Sequence, residues 1–104
     1  MKQRQVVVPA VVQSQIDEQV RFIARDSIEN ALAWESRLDK AIRGLADTAG
    51  YAVDEKASDR LGVEVHKLVF EGTYLVHYTL DEPASLVRVI NFRHGARLPR
   101  RGEP

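Results

Sequence analysis

The sequence predicts an α+β fold in which a short N-terminal strand and an αα-hairpin precede a three-stranded antiparallel meander. The first observation is that apolar residues recur at helical spacing in two consecutive blocks within residues 10–46. The second is that β-branched and aromatic residues dominate residues 63–92, between turn signals. The third is the length of 104 residues with 44% hydrophobic and 29% charged side chains, which suits one globular domain. We therefore expect the order β-α-α-β-β-β, with residues 1–98 as one domain and residues 99–104 as a basic C-terminal tail.

The first strand and the first helix are indicated by the N-terminal quarter of the chain. The tripeptide Val6-Val7-Val8 is β-branched and stops at Pro9, which has no N–H to donate to a sheet. From about residue 10 to residue 25, apolar side chains recur every three to four positions, the period of an amphipathic helix. The apolar stripe of this helix consists of Val12, Ile16, Val20 and Ile23.

The second helix is predicted to begin at Asp26, whose carboxylate can accept a backbone N–H while Glu29 reaches back as in a capping box. Gly44 is unfavourable within a helix by about 1 kcal/mol relative to alanine, so Gly50 is the expected stop. The apolar stripe consists of Ile28, Ala31, Leu38, Ile42 and Leu45, broadened by Trp34, Ala41 and Ala46. The two helices meet at Asp26 and form an αα-hairpin.

The remaining elements are a loop and three strands. Residues 47–61 are polar and aperiodic, so we expect a loop with room for one short turn. The strands are expected over residues 63–70, 73–80 and 86–92, with turns at 71–73 and 81–85. In the middle strand Tyr74, Val76 and Tyr78 share one face, which we expect to pack in the core. His77 points to the opposite face, toward solvent or a helix.

Composition excludes several classes of protein and site. The chain has no cysteine, so neither a disulfide framework nor a thiolate metal site is available. His66 and His77 on adjacent strands lack a third ligand at useful spacing, and we predict no metal and no cofactor. The N-terminal apolar run is too short for a signal peptide and contains Pro9. No stretch approaches the roughly 20 apolar residues of a membrane helix, so we expect a cytoplasmic protein without a membrane partner.

The formal net charge of zero conceals an asymmetry along the chain. Residues 26–85 carry twelve acidic and six basic side chains, whereas residues 86–104 carry five arginines and one glutamate. Residues 1–25 are also basic, with four cationic and two acidic side chains. A basic end on a neutral protein predicts one anionic partner surface rather than general coating of nucleic acid.

The last third of the chain contains three consecutive segments that form a recognisable pattern. They are Tyr74-Leu75-Val76-His77-Tyr78, Val87-Arg88-Val89-Ile90-Asn91-Phe92 and Arg93-His94-Gly95-Ala96-Arg97. This pattern resembles the closing strands of the RelE/ParE toxin superfamily, the small toxins of bacterial type II toxin–antitoxin modules. The second helix is similar to the family's second helix at Ala31, Trp34, Leu38, Ala41, Ile42 and Leu45. The resemblance covers most of the chain and implies the same order of elements.

The resemblance implies one of two activities. RelE-like toxins cleave mRNA on the ribosome, and they resemble one another in an arginine in the central strand and a His-Tyr or Tyr near the end of the last strand. Here Leu75 takes the place of that arginine, and Gly95 follows His94 where the tyrosine would stand. ParE-like toxins poison DNA gyrase by binding, and their last strand ends in His-Gly-x-Arg or a near relative. The pattern therefore favours a ParE-like toxin without catalytic residues.

Two alternatives remain open at this point. One is a RelE-like, ribosome-dependent mRNA endoribonuclease, in which His94 and Arg97 would be the catalytic residues. The other is a non-toxic relative that only binds an antitoxin. A purely structural interpretation is also open, in which His94 and Arg97 lock the final strand and Arg97 pairs with a carboxylate on the second helix.

The predicted partners are a cognate antitoxin and a target such as DNA gyrase, and we expect a hetero-oligomer with the antitoxin. Target-binding residues are predicted at the basic end, at Arg93, His94, Arg97, Arg100 and Arg101. The resemblance implies that a disordered antitoxin segment folds over an apolar surface between the helix pair and the sheet. The predicted antitoxin contacts are Val11, Phe22 and Leu98.

Overall fold

The computed structural model describes residues 4–47 and 52–95. They form an N-terminal strand, two long helices, a short helix and three further strands. The elements are β1 (Gln5–Val7), α1 (Ala10–Ala24), α2 (Ile28–Arg43), a 3₁₀ turn (Gly44–Ala46), α3 (Glu55–Leu61), β2 (His66–Phe70), β3 (Tyr74–Asp81) and β4 (Leu86–His94). The predicted α+β class is confirmed, as is the placement of one strand and a helix pair before three strands.

The four strands form one mixed sheet in the order β1-β4-β3-β2. The strand pairs β2–β3 and β3–β4 are antiparallel, as the predicted meander requires. β1 pairs in parallel with the start of β4, through Gln5–Val7 and Leu86–Arg88. Parallel neighbours need a long connection, and here the helices and two strands lie between the two partners in sequence.

The core lies between α1, α2 and one face of the sheet. Trp34 is at its centre, with ring centroids 5.2 Å from Tyr74 and 6.0 Å from both Phe70 and Phe92. The other buried core residues are Val12, Ile16, Leu38, Ile42, Leu45, Val76, Tyr78, Val87 and Val89. Val20 and Ile23 of the predicted stripe pack at its edge, and the predicted burial of the tyrosine face of β3 is confirmed.

The ends of α2 differ from the prediction. The helix is capped by Ser27, whose Oγ accepts a hydrogen bond from the Asn30 N–H at 3.0 Å, and not by Asp26. Because the helix begins one residue later, Ile28 is its first residue and is 68% exposed instead of buried. Gly44 is the C-cap, where the chain tightens into the 3₁₀ turn. The predicted stop at Gly50 lies outside the described residues.

The loop predicted over residues 47–61 is partly wrong, because α3 lies within it. The two caps define this helix. The Asp54 carboxylate accepts a hydrogen bond from the Ala57 N–H at 3.1 Å at the N-terminus, and Gly62, with a φ of 76°, is the C-cap. Its N-cap contacts His77, which alternates with the core residues of β3. α3 therefore lies on the face of the sheet opposite to α1 and α2.

A β-bulge in β4 decides which side chains reach each face. His77 pairs with Asn91 and Tyr78 pairs with Val89, so Ile90 is one extra residue. Val89 and Phe92 are therefore both in the core although they are three positions apart. Asn91 lies on the α3 side, within hydrogen-bonding distance of His77.

Candidate functional site

A cleft of about 590 Å³ lies between the outer face of α1 and the end of β4. The contributing side chains of α1 are three to four positions apart, which places them on one face of the helix. The lining residues are Gln15, Glu18, Gln19, Arg21, Phe22 and Arg25 from α1, and Phe92, Arg93 and His94 from β4.

Two glutamines fix α1 against the end of the sheet. β1 pairs with β4 only as far as Arg88, so the Phe92 N–H lies beyond the partner strand. That N–H donates to Oε1 of Gln15 at 2.9 Å, so a side chain of α1 supplies the acceptor that no neighbouring strand provides. Gln19 donates from Nε2 to the Tyr74 hydroxyl at 3.4 Å. α1 is therefore held against the sheet at two points, one on β4 and one on β3.

The His94 ring is positioned by aromatic packing. It lies edge-on to Tyr74, with ring centroids 4.8 Å apart and planes at 75°. Tyr74 in turn stacks on Phe92 at 5.7 Å. His94 thus both lines the cleft and packs on the sheet, so the interpretation that it locks the final strand is compatible with a role at the surface.

Gly95 follows His94 at a point where the backbone allows no side chain. Its N–H donates to the Thr73 carbonyl, and a β-carbon at this position would lie 2.6 Å from that oxygen. This distance is far below an ordinary van der Waals contact. A side chain as large as that of tyrosine would therefore not fit here without a shift of the backbone.

The electrostatics of the cleft are cationic. Arg21, Arg25 and Arg93 line it together with a single carboxylate, that of Glu18. Within residues 4–47 and 52–95, none of these three guanidinium groups forms an ion pair. Arg25 lies 5.7 Å from the ring centroid of Phe22, which is 51% exposed. The cleft therefore presents cations beside an accessible aromatic ring.

The structure brings together three of the predicted site residues. Arg93 and His94, predicted to bind a target, line the same cleft as Phe22, predicted to contact an antitoxin. Val11 is 65% exposed on α1 but is not part of the cleft lining. The other predicted residues, Arg97, Leu98, Arg100 and Arg101, lie outside the described residues.

Sequence reasoning missed the contribution of α1 to the cleft. The missed residues are Gln15, Glu18, Gln19, Arg21 and Arg25. Part of the signal was available, because Glu18, Arg21 and Arg25 follow the helical period on the side away from the apolar stripe, whereas Gln15 and Gln19 flank that stripe. The net positive charge of residues 1–25 pointed the same way. What the sequence does not give is that this face lies next to the end of β4.

Metal binding and membrane crossing are two further possibilities for the described residues. There, no three histidine or carboxylate side chains are grouped as ligands for a metal ion. Instead, Nε2 of His77 lies 2.8 Å from the Asp54 carboxylate, and His66 stacks on Tyr78. None of the helices in these ranges combines the length and the hydropathy that crossing a membrane requires.

Comparisons with known proteins leave the family open. No family model matches this chain, and a search of curated proteins found no match either. Function is therefore inferred from the cleft and from the motif residues that line it.

Proposed function

We propose that this chain is the toxin of a bacterial type II toxin–antitoxin module, of the ParE-like branch. It inhibits growth by binding a target such as DNA gyrase in the cytoplasm, and a cognate antitoxin neutralises it. The observation that carries this proposal is the cationic cleft, in which Arg93 and His94 of the motif lie beside Arg21 and Arg25. A toxin that acts by binding needs such a presented surface and no acid–base pair.

The motif residues favour binding over RNA cleavage. Cleavage needs a base for the 2′-hydroxyl, an acid for the leaving oxygen and cations for the developing charge. At the two motif positions where RelE-like toxins supply an arginine and a tyrosine, this chain has Leu75 and Gly95. A β-carbon at Gly95 would lie 2.6 Å from the Thr73 carbonyl oxygen, so this backbone leaves no room for a tyrosine side chain at the second position.

The character of the cleft defines the partner surface. Guanidinium groups without carboxylate partners favour an anionic surface, and the exposed Phe22 ring favours an apolar anchor within it. Binding through exposed charges is screened by salt. We expect the affinity for the target to fall as ionic strength rises.

Controlled expression in bacteria tests the proposal. The chain is expressed from a tightly regulated promoter while growth, cell length, the DNA-damage response and the integrity of translated mRNA are measured. Growth arrest with filamentation and a damage response is the expected result. Arrest without a damage response, with mRNA cut inside codons, would contradict the proposal and favour the endoribonuclease. No effect on growth would favour the relative that only binds an antitoxin.

A second experiment tests the antitoxin. The expected neighbour of the gene is a short reading frame with a DNA-binding pattern, and its co-expression should restore growth and bring the two proteins into one complex. A harmless, well-behaved monomer in the absence of any partner would count against the toxin–antitoxin assignment.

A further inference from the structure

A second cavity, of about 510 Å³, lies on the opposite face of the sheet, between α3 and the strands. Its walls are largely apolar and include Ala57 and Leu61 of α3, Val63 and Ile90. Leu61 and Val63 are exposed although their side chains are large and apolar. Apolar surface left in water at the mouth of a cavity is a feature of ligand sites.

The floor of this cavity is polar and rigidly held. His77 is only 3% exposed, and its Nε2 lies 2.8 Å from the Asp54 carboxylate, which can only accept. Nε2–H therefore donates to Asp54, and Nδ1 accepts from the Asn91 side-chain amide at 3.3 Å. An amide nitrogen carries two N–H groups. Asn91 also lines the cavity, so its side-chain amide adds a polar group to the floor.

Two guanidinium groups complete the site. Arg60 and Arg93 both line the cavity, and neither forms an ion pair within residues 4–47 and 52–95. No acidic side chain is found among the described residues that line it. The combination of apolar walls, a few fixed polar groups and unpaired cations is typical of a small-molecule site, and so is the volume.

We propose that this cavity binds an amphipathic carboxylate, a small molecule with one carboxylate group and an aliphatic body. The carboxylate pairs with Arg60 and Arg93, and the body covers Leu61 and Val63. The concave shape and the buried floor favour a small molecule over a protein surface. This site does not depend on the proposed function. Arg93 also lines the cationic cleft, so a bound carboxylate occupies a guanidinium that the cleft presents.

Titration with decanoate, kept below its critical micelle concentration, tests the proposal by methyl NMR and calorimetry. We expect saturable shifts at the methyl groups of Leu61, Val63 and Ile90. Decan-1-ol, which has the same body without the charge, is expected to bind about tenfold more weakly, the factor that one lost ionic contact commonly represents.

Substitutions locate the site. Arg60→Gln is expected to weaken decanoate binding about tenfold, and Val63→Glu to abolish it by placing a negative charge at the mouth. Both positions are exposed, so both variants should fold. Arg21→Gln, in the cationic cleft, is the matched control and should leave binding unchanged. The proposal is overturned if no chemical shift saturates, or if the shifts occur at Phe22. It is also overturned if the wild type binds decan-1-ol as tightly as decanoate and Arg60→Gln binds decanoate as tightly as the wild type does.

Discussion

At Gly95 the backbone passes so close to Thr73 that a β-carbon would lie 2.6 Å from the carbonyl oxygen. A β-carbon here would strain the backbone at the end of β4, where His94 is held against Tyr74. We predict that Gly95→Ala lowers the free energy of unfolding by about 1–3 kcal/mol, the usual range for an atom forced into a packed site. Urea unfolding measures the loss, and NMR of the His94 ring reports the displaced contact.

Gly44 provides the matched control for that substitution. It lies in right-handed helical backbone at a φ of −62°, and a β-carbon there would meet nothing within 4 Å. Gly44→Ala is therefore expected to be neutral or to stabilise the fold by up to about 1 kcal/mol. Equal effects of the two substitutions would contradict the claim that Gly95 is required by a close approach.

Asp54 accepts two hydrogen bonds, one from the Ala57 N–H and one from His77. Asp54→Ala removes a helix cap worth about 1 kcal/mol and leaves the buried His77 N–H without its acceptor, at a cost of about 1–3 kcal/mol. We predict a total loss of about 2–4 kcal/mol in the free energy of unfolding. Asp59→Ala, at an exposed position of the same helix, should change it little.

Ionisation of the same carboxylate should make the stability of the fold depend on pH. Burial alone would raise the pKa of Asp54, but the hydrogen bond from Ala57 and the interaction with His77 outweigh it, so the pKa lies below its ordinary value. The ionised Asp54 carboxylate therefore contributes its full share to the free energy of unfolding above about pH 4. This contribution is lost as the pH falls through the pKa that Asp54 has in the folded protein. The stability difference between wild type and Asp54→Asn should shrink between about pH 5 and pH 3. A difference that stays constant over this window would contradict the assignment.

At the scale of elements, α1 serves as a cover for the part of β4 that β1 does not reach. Gln15 supplies the acceptor for the Phe92 N–H. We predict that Gln15→Ala lowers the free energy of unfolding by about 1–2 kcal/mol and speeds hydrogen exchange at the Phe92 amide. Gln13→Ala, at an exposed position on the same helix, is the control. Unchanged exchange at Phe92 in the Gln15 variant would show that α1 is held by other contacts.

The elements also show which features a sequence reveals. α1 and α2 were predictable because each has an apolar stripe with the helical period, long enough to show above the polar background. α3 has seven residues and one buried side chain, Ala57, so it has no stripe to detect. Its signals were the cap at Asp54 and the glycine at Gly62. The bulge at Ile90 has no sequence signal of its own, because it follows from pairing between strands.

The fold of the whole molecule brings arginines from distant parts of the chain into one cleft. The sequence shows basic residues at both ends of the chain and an acidic middle. It does not show that Arg21 and Arg25 lie beside Arg93, because that depends on how α1 crosses the end of the sheet. The sequence alone could predict that Arg93 and His94 belong to one site, because they are adjacent. That Arg21 and Arg25 of α1 line the same site could be seen only in the folded structure.

If the cleft between α1 and β4 inhibits growth by binding, as we propose, growth arrest must depend on the charges that line the cleft. Arg21→Gln/Arg25→Gln removes two charges from the cleft. Arg43→Gln/Arg88→Gln removes two exposed charges elsewhere, and thermal unfolding confirms that both variants are folded. We predict that the wild type and the second variant arrest growth and induce the DNA-damage response, whereas the first variant does neither. Full arrest by the folded cleft variant, or no arrest by the wild type, would show that the cleft does not inhibit growth in this way.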